Sequence, residues 1–243
     1  MFNLMPSFQL ITFDLDNTLW DVTPTLIKAE QVLAQWIRSQ HPDASTQYNL
    51  EAVQAIRDQL ITSHPSLRHN LTELRKTTLK VFFQQTGSSE TQATEHAKTS
   101  FEVFFEARNQ VEYYPDALNC LTVLAKKYTL GALSNGNANI KKVGLNDVMS
   151  FHFNAESTGH AKPHRAMFDQ ALATQNYSPD QCLHIGDHPS EDILAAQQLG
   201  FHTLWINFDS KPWPLDQPPS AELTHWRDGE TIIANLEGVP AQS

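Results

Sequence analysis

The sequence predicts an α/β fold, a doubly wound parallel sheet with a helical module inserted near its start. Three observations carry this. From Tyr114 onward, short apolar runs alternate with segments of helical period, the rhythm of a parallel sheet covered on both faces. Between Thr23 and Gln110 four helical segments follow one another with no convincing strand. Polar residues gather just past three of the apolar runs, as Asp14 and Asp16, Ser134 and Asn135, and Asp187 and Asp192. Such strand ends are where open α/β sheets bind ligands. The core is therefore placed at residues 1–20 and 111–243, and the helical cap at 21–110.

Each element has a local reason. Leu10-Ile11-Thr12-Phe13 is apolar and β-branched but too short for a helix, so it reads as a buried strand. Thr23-Pro24 looks like an N-cap followed by proline at the first helical position. Leu26, Ala29, Leu33, Trp36 and Ile37 then recur at helical spacing and stop before His41-Pro42. A second helix follows Asn49, with Val53, Ile56 and Leu60 on one face, and ends near His64-Pro65. Asn70-Leu71-Thr72-Glu73 resembles a capping box. It opens a third helix carrying Leu71, Leu74, Leu79, Phe82 and Phe83, closed by Gly87. A fourth carries Ala93, Ala97, Phe101, Phe104 and Phe105. These aromatics suit a bundle core better than a ligand box.

In the second half, Asp116 starts a helix with Leu118, Leu121 and Leu124, and residues 128–133 form a strand. A short helix near Ile140 to Val143 leads to a strand at Phe151-His152-Phe153, and Glu156 to Pro163 is a loop. His164 to Asn176 is helical, Cys182 to Ile185 is a strand, and Pro189 opens a helix that Gly200 stops. His202 to Ile206 is a fifth strand, Leu223 to Trp226 an edge strand, and Asp228 caps a last helix.

Composition narrows the function. The 243 residues are 40% apolar, enough for a packed core. Lys plus Arg number 17 against 27 Asp plus Glu, a net charge of −10 that disfavours nucleic-acid binding. An anionic substrate would need a metal and a local basic group to offset that field. Cys120 and Cys182 lie in apolar contexts, outside any CxxC pair, and read as buried inert thiols. No apolar run approaches the ~20 residues of a membrane span. Met1 to Met5 lacks the basic start and long apolar core of a signal peptide. The expectation is a cytoplasmic protein with no nucleic-acid or membrane partner, in a monomeric or homodimeric state.

Asp14 and Asp16 are two apart, so an extended backbone would send both side chains to one face. Like charges that close cost free energy unless a cation, a shared proton or hydrogen bonds offset them. The pair is a candidate for metal-assisted or acid/base chemistry. Asp-Asn-Thr after a strand is also ordinary turn chemistry, and on this stretch alone both readings stand.

The ordered motifs resemble those of the haloacid dehalogenase superfamily. Asp14-Leu15-Asp16-Asn17-Thr18 matches its DxDxT, Ser134 its strand-end hydroxyl, Lys162 its lysine, and Gly186-Asp187 with Asp192 its GDxxxxD. More closely, Asn135 to Ala138 and the stretch from Lys162-Pro163 to Gly186-Asp187 look like bacterial phosphatases of flavin mononucleotide and 5-amino-6-(5-phosphoribitylamino)uracil. His188 departs from the acidic or small polar residue usual in such relatives.

The resemblance implies a Rossmann-like core and a magnesium-dependent phosphomonoesterase. Asp14 would be the nucleophile, Asp16 the acid and base, and Lys162 the charge neutraliser. Ser134, Asn135 and Thr18 would serve the phosphate side. Asp14, Asp187 and the backbone carbonyl of Asp16 would hold Mg2+, with Asp192 steadying the metal's waters. The second acid, Asp16, argues for phosphatase over dehalogenase, because halide leaves without a proton. His64, Arg68, His69 and Trp20 are cap-side candidates for substrate contact. A phosphomutase would keep the same nucleophile. A signalling receiver module would share the acceptor Asp, hydroxyl and Lys but lack the second acid and a cap of this size.

Overall fold

A computed structural model describes residues 8–237; the Met1 to Met5 stretch read for a signal lies outside them. Two compact units appear. The first holds the chain to Asp21, Glu112–Gly136 and the chain from Gly144; the second holds Val22–Val111 and Asn137–Val143. The sequence reading placed residues 137–143 in the core.

The first unit is built on six parallel strands in the order β3-β2-β1-β4-β5-β6: β1 Leu10–Phe13, β2 Thr129–Ser134, β3 Phe151–Asn154, β4 Cys182–Gly186, β5 His202–Ile206 and β6 Ala221–Leu223. This is the doubly wound, Rossmann-like strand order, in which the chain switches sides between β1 and β4. Every residue of β1, β4 and β5 is buried, as strands covered on both faces must be. Leu10 and Cys182 point to a layer with Phe168, Met167, Ala171 and Phe201, contributed partly by helix α8, Ala166–Gln175. Ile11 and Phe13 alternate to the opposite face, where Phe13 meets Trp226. Helices α6 (Ala117–Leu124) and α10 (Gly229–Leu236) pack against each other in the same unit.

The second unit packs α1 (Val22–Gln40), α3 (Leu50–Ser63), α4 (Leu71–Gln85) and α5 (Glu90–Arg108), with one extra turn, α2, at Pro42–Ser45. Its core joins Ala29, Leu33 and Ile37 of α1 to Ile56, Leu79, Phe82, Phe83, Ala97, Phe101 and Phe104. Asn49 and Asn70 cap α3 and α4 by accepting from Ala52 N and Glu73 N. Ser89 and Gln92 form a reciprocal capping box at α5. Leu26, read as core-facing, is 37% exposed.

Several elements depart from expectation. Helix α1 begins at Val22, so Pro24 is inside its first turn. Asp116 and Asp228 precede their helices without a side-chain cap. Residues 140–143 form a turn, not a helix: Asn139 Oδ1 accepts from Lys141 N and Lys142 N, and Gly144 at φ 83° ends it. The expected loop after β3 contains a one-turn helix, α7 (Ala155–Thr158), boxed by Asn154 and Ser157 and closed by Gly159 at φ 73°. The edge strand lies at Ala221–Leu223, because Trp226 leaves for the interior. The segment after β4 winds wide, π fashion, over Pro189–Leu194 before a last turn, α9, at Ala195–Gln197.

Gly131 shows how tightly the sheet is covered, since a Cβ there would sit 2.1 Å from the Phe151 ring. Gly131→Ala is expected to lower stability by about 1–3 kcal/mol, the cost of overpacking a dense core. Urea unfolding followed by circular dichroism measures it.

Candidate active site

The three polar strand ends named above belong to β2, β1 and β4, which lie side by side. Residues 14, 134 and 187 are remote in sequence and meet for that reason. At β1, Asp14 N still donates to Ile185 O at 2.8 Å, so Asp14 stays in register with β4. The chain then turns through Asn17 at φ 64°, a left-handed conformation Asn tolerates. Three side chains pin the loop. Thr18 Oγ1 lies 3.3 Å from Asp14 Oδ2 and 3.4 Å from Asp187 Oδ1, one donor shared between two carboxylates. Trp226 Nε1 donates to Thr18 O at 3.1 Å, and Trp20 Nε1 donates to Asp16 Oδ1 at 2.8 Å. Asp14 is thereby buried and Asp16 left half-buried.

Lys162 enters from below this loop. Its Nζ donates to Asp14 Oδ1 at 2.8 Å, Asp192 Oδ1 at 2.5 Å and Leu133 O at 2.6 Å. The three protons of an ammonium thus have three acceptors. The side chain is 1% exposed. Burial alone would pull its pKa down, but Asp14 and Asp192 outweigh that and hold it above the ordinary lysine range. Asn135 fixes the backbone beneath. Its Oδ1 accepts from Lys162 N at 2.6 Å, and its Nδ2 donates to Lys162 O at 3.0 Å and Glu191 Oε2 at 2.9 Å. Ser134 Oγ accepts from Gly136 N at 3.0 Å, which leaves its own O–H to donate.

At the last residue of β4, Gly186 makes room. A Cβ there would fall 2.3 Å from Asp192 Cγ. Asp192, 1% exposed, has both oxygens occupied. Oδ1 takes Lys162 and faces His184 Nε2 at 3.3 Å, while Oδ2 accepts from His188 N at 3.0 Å. His188 also caps the wide turn, its Nδ1 accepting from Glu191 N at 3.1 Å. Trp205 Nε1 donates to Asp187 O at 2.8 Å.

One carboxylate oxygen each from Asp14, Asp187 and Asp192 lies within 4.8 Å of the others. A single ammonium cannot balance three carboxylates. Burial, then the neighbouring carboxylates working against Lys162, push Asp14 well above the usual range. Burial and Asp192 push Asp187 up to about 6. Asp192 goes the other way. Burial raises it, but Lys162 and His184 together bring it below the ordinary value. The donor set is hard oxygen with excess negative charge, which fits a divalent cation such as magnesium.

The chain matches the haloacid dehalogenase-like hydrolase family over residues 8–200. It belongs to that family. This hydrolase is 29% identical to the 5-amino-6-(5-phospho-D-ribitylamino)uracil phosphatase YigB of Escherichia coli strain K12, over 92% of this chain and 95% of that protein. It is 27% identical to the pyrimidine 5'-nucleotidase YjjG of the same strain, over 49% of this chain and 56% of that one. A crystal structure described as 2-haloacid dehalogenase from Pseudomonas syringae pv. Tomato DC3000 superposes with a TM-score of 0.90 at 37% identity, covering 94% of this chain and 99% of that chain.

Of the residues predicted from sequence, the hydrolase brings Asp14, Thr18, Lys162, Asp187 and Asp192 into one connected group. Ser134 and Asn135 stand at the adjacent strand end, with the Asn135 side chain spent on Lys162 and Glu191. The Asp16 carboxylate does not join the acidic cluster; it is turned to Trp20. Trp20 itself is fully buried in the first unit, so it is no cap-side contact. His64 and Arg68 are exposed at the end of α3 and in the following turn, with His69 half-buried. Sequence reasoning missed His184, Thr12 and Glu191. A histidine in the middle of an apolar strand was the available signal for the first. Among the described residues no helix is long and apolar enough to cross a membrane.

The raised Asp187 carries a sign. A carboxyl whose folded pKa exceeds its unfolded value binds more protons when folded, so stability falls as pH rises from about 4 towards about 6. A bound divalent ion removes that penalty. Thermal melts with and without millimolar magnesium are expected to show a larger rise in Tm at pH 7 than at pH 5. An equal shift at both would contradict the metal assignment.

Proposed function

We propose that this hydrolase is a magnesium-dependent phosphomonoesterase that cleaves a small phosphorylated metabolite through a phospho-aspartate at Asp14. The observation that carries the reading is Asp14 gripped by the buried Lys162, with a second carboxyl group two residues on that is held apart by Trp20. Asp14 Oδ attacks phosphorus as the ester P–O bond breaks, and Asp16 gives its proton to the departing alkoxide. A water then attacks phosphorus, Asp16 takes back a proton, and the Asp14–phosphorus bond breaks. Lys162 offsets the charge of the nucleophile and of the transferring group, and Ser134 Oγ–H with the Asn135 N–H offers donors to its oxygens. Asp14, Asp187 and the Asp16 carbonyl would hold Mg2+, with Asp192 steadying the site from behind because its oxygens are already occupied. The ion would offset the repulsion between the Asp14 carboxylate and an anionic phosphate.

YigB and YjjG are both named for phosphate esters of pyrimidine-bearing metabolites. With the first matching nearly end to end, a riboflavin-precursor phosphate or flavin mononucleotide is the leading substrate. The relative described as a haloacid dehalogenase favours a second reading, carbon–halogen hydrolysis. Halide departs without a proton, so a second acid beside the nucleophile has no task in that reaction and has one in phosphate-ester cleavage.

A screen over flavin mononucleotide, nucleotides and sugar phosphates with magnesium is expected to release free phosphate, with no chloride from 2-chloropropionate. Chloride release without phosphatase turnover would reverse the reading. Asp14→Asn is expected to cut turnover by at least about 10³-fold, as loss of a nucleophile does. Asp16→Ala should slow alkyl phosphates by about 10²–10⁴-fold and affect p-nitrophenyl phosphate far less. Equal losses on both esters would remove its acid role.

A further inference from the structure

Behind the site lies a buried histidine that the proposed reaction does not touch. His184 is 0% exposed in the middle of β4, and its cross-strand neighbour on β1 is Thr12, also 0% exposed. The imidazole stands between two partners. Nδ1 is 2.8 Å from Thr12 Oγ1, and Nε2 is 3.3 Å from Asp192 Oδ1. The Phe168 ring closes the side at 5.0 Å, edge to face.

Chemistry settles which nitrogen carries the proton. Asp192 Oδ1 already accepts from the Lys162 ammonium, and an ionised carboxylate can only accept. The nitrogen facing it must therefore be N–H. In a neutral imidazole the other nitrogen is then an acceptor, and the Thr12 hydroxyl at 2.8 Å is its donor. The competing acceptor for that hydroxyl, Leu183 O, is farther away at 3.4 Å. The ring is fully buried and shares Asp192 Oδ1 with the Lys162 ammonium, so a second cation there would be repelled.

We propose that His184 is a positioning residue, held in its Nε2–H tautomer between Asp192 and Thr12, that fixes Asp192 and through it seats the Lys162 ammonium on Asp14. The Asp192 carboxylate is tied at three points, by His184, Lys162 and the His188 N–H. Without the first tie its Oδ1 is free to follow Lys162, and the ammonium recentres on one carboxylate instead of bridging two. The carboxylates of Asp14 and Asp192 would then no longer share one cation. Partners that orient a site's primary groups typically contribute 10–100-fold.

The inference rests on the phosphatase reading for its kinetic half and not for its structural half. Nitrogen-15 NMR of the unaltered enzyme is expected to find His184 protonated on Nε2 and bare on Nδ1. The opposite tautomer, or a doubly protonated ring at pH 7, overturns the proposal. In p-nitrophenyl phosphate assays with magnesium, His184→Leu is expected to lower kcat by about 10–100-fold with KM within about threefold. His184→Gln, which keeps a terminal N–H donor, should recover most of that loss. Thr12→Val leaves Asp192 still accepting from Nε2–H, so it should keep the tautomer and shift only the Nδ1 resonance, which loses its donor. A His184→Leu enzyme as fast as the unaltered one, or a Gln variant as slow as Leu, overturns the proposal. No turnover in the unaltered enzyme would instead defeat the phosphatase reading, and the tautomer measurement would still decide this one.

Discussion

The site depends on one buried ammonium shared between two carboxylates. Removing Lys162 from water is costly unless its charge is met on all sides, and here three acceptors meet it. The constraint propagates outward. Asn135 must hold the lysine's peptide unit, Gly186 must lack a side chain so that Asp192 can approach, and β2, β1 and β4 must be neighbours. A parallel sheet with the switch between β1 and β4 supplies that adjacency with no further device.

On the proposed reading, the same arrangement separates two tasks for carboxyl groups only two residues apart. Asp14 is drawn down into the acidic cluster, in contact with Lys162 and Thr18. Asp16 is drawn aside by an indole N–H and left half-buried. A nucleophile has to be fixed and electrostatically supported. A proton carrier has to reach both a leaving group and, later, a water. The left-handed turn at Asn17 and the Trp20 hydrogen bond are what let one short loop provide both environments.

Much of this was legible in the sequence. The strand ends announced themselves because a buried parallel strand is uniformly apolar, so an aspartate or serine at its edge stands out. Helix faces in the second unit followed period and caps, as with Asn49 and Asn70. Two kinds of feature stayed hidden. Partnerships such as Thr12 with His184 across the sheet, or Trp20 with Asp16 within one loop, depend on register and rotamer, which no local pattern encodes. Short pieces decided by one side chain, such as the Asn139 turn and the Asn154 box, lie below the length at which periodicity speaks.

The wide winding after β4 has a consequence of its own. Over Pro189–Leu194 the coil accommodates more residues per revolution than an ordinary helix. That slack determines the azimuth at which Asp192 leaves the axis. A chain shorter by a single amino acid in this bend could still wind a tidy α-helix and keep every neighbouring strand. Yet the carboxylate would swing by about 100° around that axis, so regularising this piece of backbone would part Asp192 from Lys162 and His184 while leaving the architecture whole.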